Sequence, residues 1–161
     1  MMGTRSGDVD PSIIPPVMKA ENKTIDDIIN DLNKHSGVLG LSGISSDMRD
    51  IEDAYNEGNS KAVLTFNKYI QRIVDYIAQY YVRLGGADVI AFTAGVGENS
   101  PILRKLVCEK LACLGVKLDE EKNNVRGKLT KISTDDSKVA VYVIPTDEEL
   151  MIARDTLELI K

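Results

Sequence analysis

Asp88-Val89-Ile90-Ala91-Phe92-Thr93-Ala94-Gly95-Val96-Gly97-Glu98-Asn99-Ser100-Pro101 is the stretch that decides the fold. Val89 to Phe92 form a short apolar run, the pattern of a strand buried on both faces of a sheet. Gly95 and Gly97 follow at once, and glycine permits positive φ and leaves no Cβ between backbone and ligand. Asn99 or Ser100 can cap the next helix, with Pro101 in its first turn. Free N–H groups and the positive end of a helix then lie just past the carboxyl end of a strand. That is where phosphate or nucleotide rests in an open α/β sheet. Ser100 stands where a dinucleotide fingerprint has its third glycine, and no Gly-Lys-Ser/Thr follows. Such turns also occur without a ligand, so spacing alone leaves both readings open.

Composition narrows the field. The 161 residues suffice for one ordinary domain with a core. Twenty-five acidic against 20 basic residues give a formal charge of -5, which argues against non-specific nucleic-acid binding. Trp is absent and aromatics make up 5%, too few for a stacking platform. No apolar run is long enough to span a bilayer, and the first residues lack a signal-peptide core. Cys108 and Cys113 are predicted to be small buried or half-buried thiols on one helix, pointing to different sides. The expectation is a soluble, cytoplasmic protein without nucleic-acid or membrane partners.

Met1 to Pro16 shows no helical period and reads as an ordered loop or extended arm. Arg5 on that loop could clamp a phosphate or carboxylate, or simply be solvated. Thr24 and Asp27 resemble a capping box for a helix with an Ile25, Ile28, Ile29, Leu32 stripe ending at Gly37. His35 is explained by its place near that helix end. Val38 to Ile44 reads as a packed loop or short strand. Ser45-Ser46-Asp47-Met48-Arg49-Asp50 opens a short helix, with serine as cap and aspartate in the first turn. Asp47 and Arg49 could instead face a ribose or phosphate.

A long helix is predicted over 61–84, its apolar stripe wide enough for a central position or a dimer interface. After Pro101 a helix runs to about Leu114, capped by Gly115. Val116 to Leu118 is a short strand, with at most one more near Lys131–Ser133, and Val139 to Ile144 is the second strong strand. Thr146 and Glu149 suggest a capping box for the last helix. Asp147 and Glu148 are then carboxylates at a strand's carboxyl end, able to hold Mg²⁺ through water or merely suited to a helix start. The alternation of strand and helix indicates an α/β protein with a parallel sheet.

Four segments together resemble the acetate kinase family: Met2-Gly-Thr-Arg-Ser-Gly-Asp-Val-Asp-Pro11, Gly43-Ile-Ser-Ser-Asp-Met-Arg-Asp50, Phe92-Thr-Ala-Gly-Val-Gly-Glu-Asn99 and Ile144-Pro-Thr-Asp-Glu-Glu-Leu150. They occur in that family's order and cover the whole chain. The resemblance implies an actin-like, sugar-kinase-like fold with a ribonuclease-H-like core, here an incomplete parallel sheet flanked by helices. It implies that 1–161 is the C-terminal nucleotide-binding and dimerisation part. It also implies ATP + acetate giving ADP + acetyl phosphate, with Mg²⁺, in a homodimer. Arg5 resembles the arginine that stabilises the transferring phosphoryl group. Asp47, Met48 and Arg49 resemble the segment on the adenosine side. Gly95, Val96, Gly97, Glu98 and Asn99 resemble the adenosine- and phosphate-side loop, and Glu148 the glutamate that positions Mg²⁺. Asp147 stands where an asparagine is usual.

The family's N-terminal domain, glycine-rich phosphate hairpin and catalytic histidine have no counterpart in these residues. Nor do the first strands of the C-terminal sheet, so an exposed sheet edge and negligible turnover by the chain alone are expected. The competing readings are a non-catalytic nucleotide-binding or dimerisation module, and part of a propionate or butyrate kinase.

Overall fold

Asp10 caps a 3₁₀ turn over Pro11–Ile13 through the Ser12 amide, and the turn runs directly into helix α1, Ile14–Glu21. The segment expected to stay a loop as far as Pro16 is thus helical from Pro11. Pro15 and Pro16 fall in the first turn of α1, where a missing N–H costs nothing. The computed structural model describes residues 1–160. They divide into two compact units, 1–75 and 76–161, with the boundary inside one long helix.

The first unit contains four helices besides the start of that long one. Helix α2, Ile25–Lys34, carries the expected capping box: the Asp27 carboxylate accepts from the Thr24 amide at 2.9 Å, and Thr24 Oγ1 accepts from the Asp27 amide at 3.2 Å. It ends at His35 rather than Gly37, and only Ile28 of its stripe is buried. Residues Gly37–Ser42, expected as a loop or strand, form helix α3, with Val38 and Ser42 buried. Helix α4 is Met48–Asn56, capped by Asp47 rather than by a serine. Helix α5, Ser60–Leu84, has 25 residues and so is roughly 37 Å long at ~1.5 Å per residue. Only its first half is buried, through Ala62, Thr65, Phe66 and Ile70. Its last turns leave Tyr80, Val82 and Leu84 more than half exposed. Ile28, Val38, Ile51, Phe66 and Ile70 make the core of this unit, and the rings of Tyr55 and Phe66 meet at 4.8 Å.

The second unit begins with the last turns of α5, which Gly85 ends with a φ of +72°. Its elements are β1 (Val89–Phe92), α6 (Ala94–Asn99), α7 (Pro101–Lys110), a 3₁₀ turn (Ala112–Leu114), α8 (Glu120–Asn123), β2 (Thr130–Lys131), β3 (Ala140–Val143) and α9 (Glu148–Leu159). The sheet order is β1-β3-β2. β1 and β3 are parallel, from Val89 opposite Ala140 to Phe92 opposite Val143. β2 is antiparallel to β3, so the sheet is mixed rather than wholly parallel. Val116 to Leu118 makes only a single bridge, Leu118 to Ser133. Val89 is 51% exposed, and burial along β1 alternates instead of covering both faces. Among the described residues β1 pairs with β3 alone, which leaves the free edge that was expected.

Candidate functional site

Main-chain bonds hold the Arg5 loop. The amide of Ser6 donates to the Leu32 carbonyl at 2.9 Å, and Thr4, Met2 and Gly3 carbonyls accept from Ser36, Val38 and Leu39 at 2.8–2.9 Å. Thr4 Oγ1 adds a bond to the Asn33 carbonyl at 3.1 Å. Gly37 makes this docking possible. Its φ is +63°, and a Cβ there would lie 2.2 Å from the Met2 oxygen and 2.6 Å from that of Arg5. Farther along, Arg72 of α5 pairs with Asp8 and reaches Asp75 at 3.7 Å. Arg5 itself is exposed and lines an open cleft with Asn30, Asn33 and Lys34 of α2. A Cβ on Gly3 would meet the Ser46 oxygen at 3.0 Å, so this loop abuts the segment that feeds α4.

At the start of α4, Asp47 does two jobs. Oδ1 accepts from the Arg49 amide at 2.9 Å, and Oδ2 pairs with the Arg49 guanidinium at 2.5 Å. The Arg49 hydrogen bonds hold the Asp47 carboxyl down at about 2. Arg49 remains 88% exposed, so one face of the guanidinium is open to an incoming group. Met48 is half-buried at the first helical position.

In the second unit the residue after Thr93 takes the positive φ, and it is Ala94 (+58°), not a glycine. Gly95 and Gly97 lie within α6, so the predicted open glycine turn is instead a short helix. Gly97 packs closely: a Cβ there would lie 3.3 Å from the Phe92 carbonyl carbon, a tight contact. At Gly95 a Cβ would meet nothing within 4 Å, which leaves bare backbone facing open space. Val96 is half-buried, and Asn99 Nδ2 folds back to donate to the Gly95 carbonyl at 2.9 Å. Glu98 is turned inward. Its Oε1 accepts from the Thr146 amide at 2.9 Å and from Thr146 Oγ1 at 3.1 Å.

Beneath α6 lies Arg104, fully buried in α7. Its Nη1 donates to the carbonyls of Gly97 (2.8 Å) and Glu98 (2.9 Å). Nη2 donates to Asn123 (2.6 Å) and Val125 (2.7 Å), and Nε to Asn123 Oδ1 (2.8 Å). All five guanidinium N–H groups are thus engaged, which makes burial of the charge tolerable. The sequence offered one signal for it: Arg104 shares helical spacing with Val107, Cys108 and Leu111, the buried side of α7.

Glu148 is the first residue of α9 and is exposed. Asp147, not Thr146, caps that helix, accepting from the Leu150 amide at 3.0 Å. The expected Thr146–Glu149 box is replaced because Thr146 is engaged by Glu98. No group of three or more His, Cys, Asp or Glu side chains occurs among the described residues. A cation at Glu148 would therefore be held by fewer than three carboxylates, with waters or ligand oxygens completing its shell. That donor set suits Mg²⁺ beside a polyphosphate. In one unit the structure sets Arg5 beside α2, with Gly3 of the same loop against Ser46 just before Asp47, and in the other it joins Glu98 to Thr146, two residues before Glu148.

The model of the acetokinase family matches residues 1–154. An acetate kinase of Treponema denticola is 56% identical over all 161 residues, which span 41% of that protein. One from Symbiobacterium thermophilum is 56% identical, again with the whole chain spanning 40% of its length. The crystal structure of Porphyromonas gingivalis acetate kinase matches the whole chain with a TM-score of 0.92 at 49% identity, over 41% of that chain. A propionate kinase from Francisella tularensis matches 94% of the chain with a TM-score of 0.87 at 39% identity, over 38% of its own length. The chain thus spans about two-fifths of the relatives it matches, and its fold is the actin-like, ribonuclease-H-like one of those kinases. By sequence and by structure, the chain belongs to the acetokinase family.

Proposed function

We propose that this chain is the C-terminal, nucleotide-side part of a phosphotransferase with a carboxylate acceptor, converting ATP and acetate to ADP and acetyl phosphate. The observation that carries this reading is the end-to-end match to an acetate kinase structure, at a TM-score of 0.92 and 49% identity. Asp47, Met48 and Arg49 take the adenosine side of the nucleotide, and the segment Gly95, Val96, Gly97, Glu98 and Asn99 takes its adenosine and phosphate side, with bare backbone at Gly95. Arg5 meets the transferring group. A guanidinium presents two parallel N–H donors to the equatorial oxygens, where charge builds up in phosphoryl transfer. Mg²⁺, when bound beside Glu148, neutralises charge on the phosphates. Phosphoryl transfer depends on such positioning more than on a covalent nucleophile.

The propionate kinase is the weaker match on both measures, which favours acetate as acceptor. The exposed Tyr80, Val82 and Leu84 of α5 favour a second copy of the chain as partner. No described helix is long and apolar enough to cross a membrane, in keeping with a cytoplasmic enzyme.

Calorimetric titration with Mg²⁺-ADP tests the reading. Saturable binding is expected, and the absence of heat at millimolar ADP would leave only a dimerisation module. Acetyl phosphate formation by the 161 residues alone should stay far below the ~1–100 s⁻¹ of ordinary kinases.

A further inference from the structure

Glu98 is the point at which four segments of the second unit meet. Its carbonyl accepts from Arg104 at 2.9 Å and from the Gly127 amide at 3.4 Å. Its carboxylate takes both donors of Thr146, 48 positions away. The side chain is only 9% exposed, at the border of the core, whereas Gly95 three residues earlier faces open space. Two bonds to one carboxylate oxygen fix Thr146 more firmly than either would alone. Thr146 in turn stands two residues before Glu148. Helix α9 buries none of its own residues, and its cap, Asp147, bonds only within the helix. Its start is held to the rest of the unit by the Ile144 amide on the Phe92 carbonyl, at 2.9 Å, and by the two Thr146 bonds.

We infer that Glu98 is a positioning residue. It ties the nucleotide-side helix α6 to the first turn of α9 and thereby sets where the Glu148 carboxylate stands. This rests on the reading of α6 as the phosphate side and Glu148 as the Mg²⁺ carboxylate. It replaces direct contact of the Glu98 side chain with nucleotide. A functional group has to be held within about half an ångström to act, and an unpacked helix cannot supply that by itself. Glu98 supplies it through Thr146.

The test uses Thr146→Val, Thr146→Ser, Glu98→Gln and Glu98→Ala in the purified protein. ADP affinity is measured with Mg²⁺ and with a chelator, and hydrogen exchange is followed at the amides of 144–150. Thr146 is exposed, so its variants keep the fold. Thr146→Val should weaken Mg²⁺-ADP about tenfold and leave metal-free ADP unchanged, as expected for loss of one hydrogen bond. Thr146→Ser should restore it. Glu98→Gln, which keeps an acceptor oxygen, should lie between wild type and Glu98→Ala. Exchange at the Thr146 amide should quicken in Glu98→Ala.

The inference is overturned if Thr146→Val behaves as wild type while both Glu98 variants fail equally, since the carboxylate would then touch metal or nucleotide itself. It is also overturned if Mg²⁺ dependence is the same in all four variants. Should the wild type bind no ADP at all, the nucleotide reading fails first. Faster exchange in Glu98→Ala would then mark the link as a fold contact without a role in the site, which also refutes the inference.

Discussion

Replacing Gly37 by alanine should unseat the Arg5 loop without unfolding the protein. Two separate costs can be worked from the geometry. The first is conformational: Gly37 has φ +63°, and a left-handed backbone costs an L-residue about 1–2 kcal/mol. The second is steric. The added Cβ would lie 2.2 Å from the Met2 oxygen and 2.6 Å from the Arg5 oxygen, and both are backbone atoms with no rotamer to escape into. The loop must withdraw, giving up the bonds from the Val38 and Leu39 amides to Met2 and Gly3. Two such bonds are worth about 2 kcal/mol net. The sum, about 3–4 kcal/mol, is less than the ~5–15 kcal/mol stability of an ordinary domain.

Gly43→Ala is the control. It has φ +64° with nothing within 4 Å of the added Cβ, so it carries the first cost alone. Chemical denaturation should show Gly37→Ala about 2 kcal/mol less stable than Gly43→Ala. Exchange at the Val38 and Leu39 amides should quicken about 30-fold in the former, the equivalent of that difference. Equal stabilities, with both amides equally protected, would refute the claim that this glycine seats the Arg5 loop.

Three further outcomes are expected. Arg104→Lys replaces five donors in a fixed fork by three at the end of a flexible stem, and of the five acceptors only the Glu98 and Asn123 carbonyls keep a second donor, the Gly127 and Val125 amides; the loss should be about 1–3 kcal/mol in denaturant titration, and unchanged stability would show that the ammonium serves the other three acceptors equally well. Burial pushes the Cys108 thiol up to about 12 while Cys113 is exposed, so an alkylating reagent at mildly alkaline pH should modify Cys113 alone until denaturant is added, as read by intact mass. Asp47 is depressed from its ordinary 3.8 to about 2, so its ion pair with Arg49 persists above the ordinary value and is lost as pH falls from about 4 toward 2. NMR shifts of the Arg49 amide should follow that lower midpoint, and Asp47→Asn should abolish the titration while keeping the cap; a midpoint near 4 would remove the pairing from solution.

The parts of the fold legible in the sequence are those decided locally. The Thr24–Asp27 box is chemistry between residues three positions apart and forms as read; Ser100, one of the two caps the sequence offered, caps α7, whereas α7 stops at Lys110 and Gly115 ends the 3₁₀ turn that follows it. The strands β1 and β3 were visible as two short apolar runs, though no local signal set their pairing with each other. The misreadings came where a distant group outbid a local one. Thr146 could have capped the last helix, but Glu98 takes both of its donors, and Asp147 moves into the cap. Gly37 looked like a helix stop because its other use depends on the Met2 and Arg5 carbonyls, more than thirty residues upstream. Gly95 and Gly97 were read through φ, yet Ala94 carries the positive φ, and Gly97 packs closely on Phe92.

The same distinction governs the site. Each motif announced itself by residue type, but what holds the motifs is written elsewhere. Arg104 supports the Gly97 and Glu98 carbonyls from inside α7 and would pass as a miscoloured core position. Substrate-facing groups can vary their surroundings only within what such buried anchors allow. Variants at Gly37, Arg104 and Thr146 therefore probe the site's geometry more directly than the exposed residues that a motif search finds first.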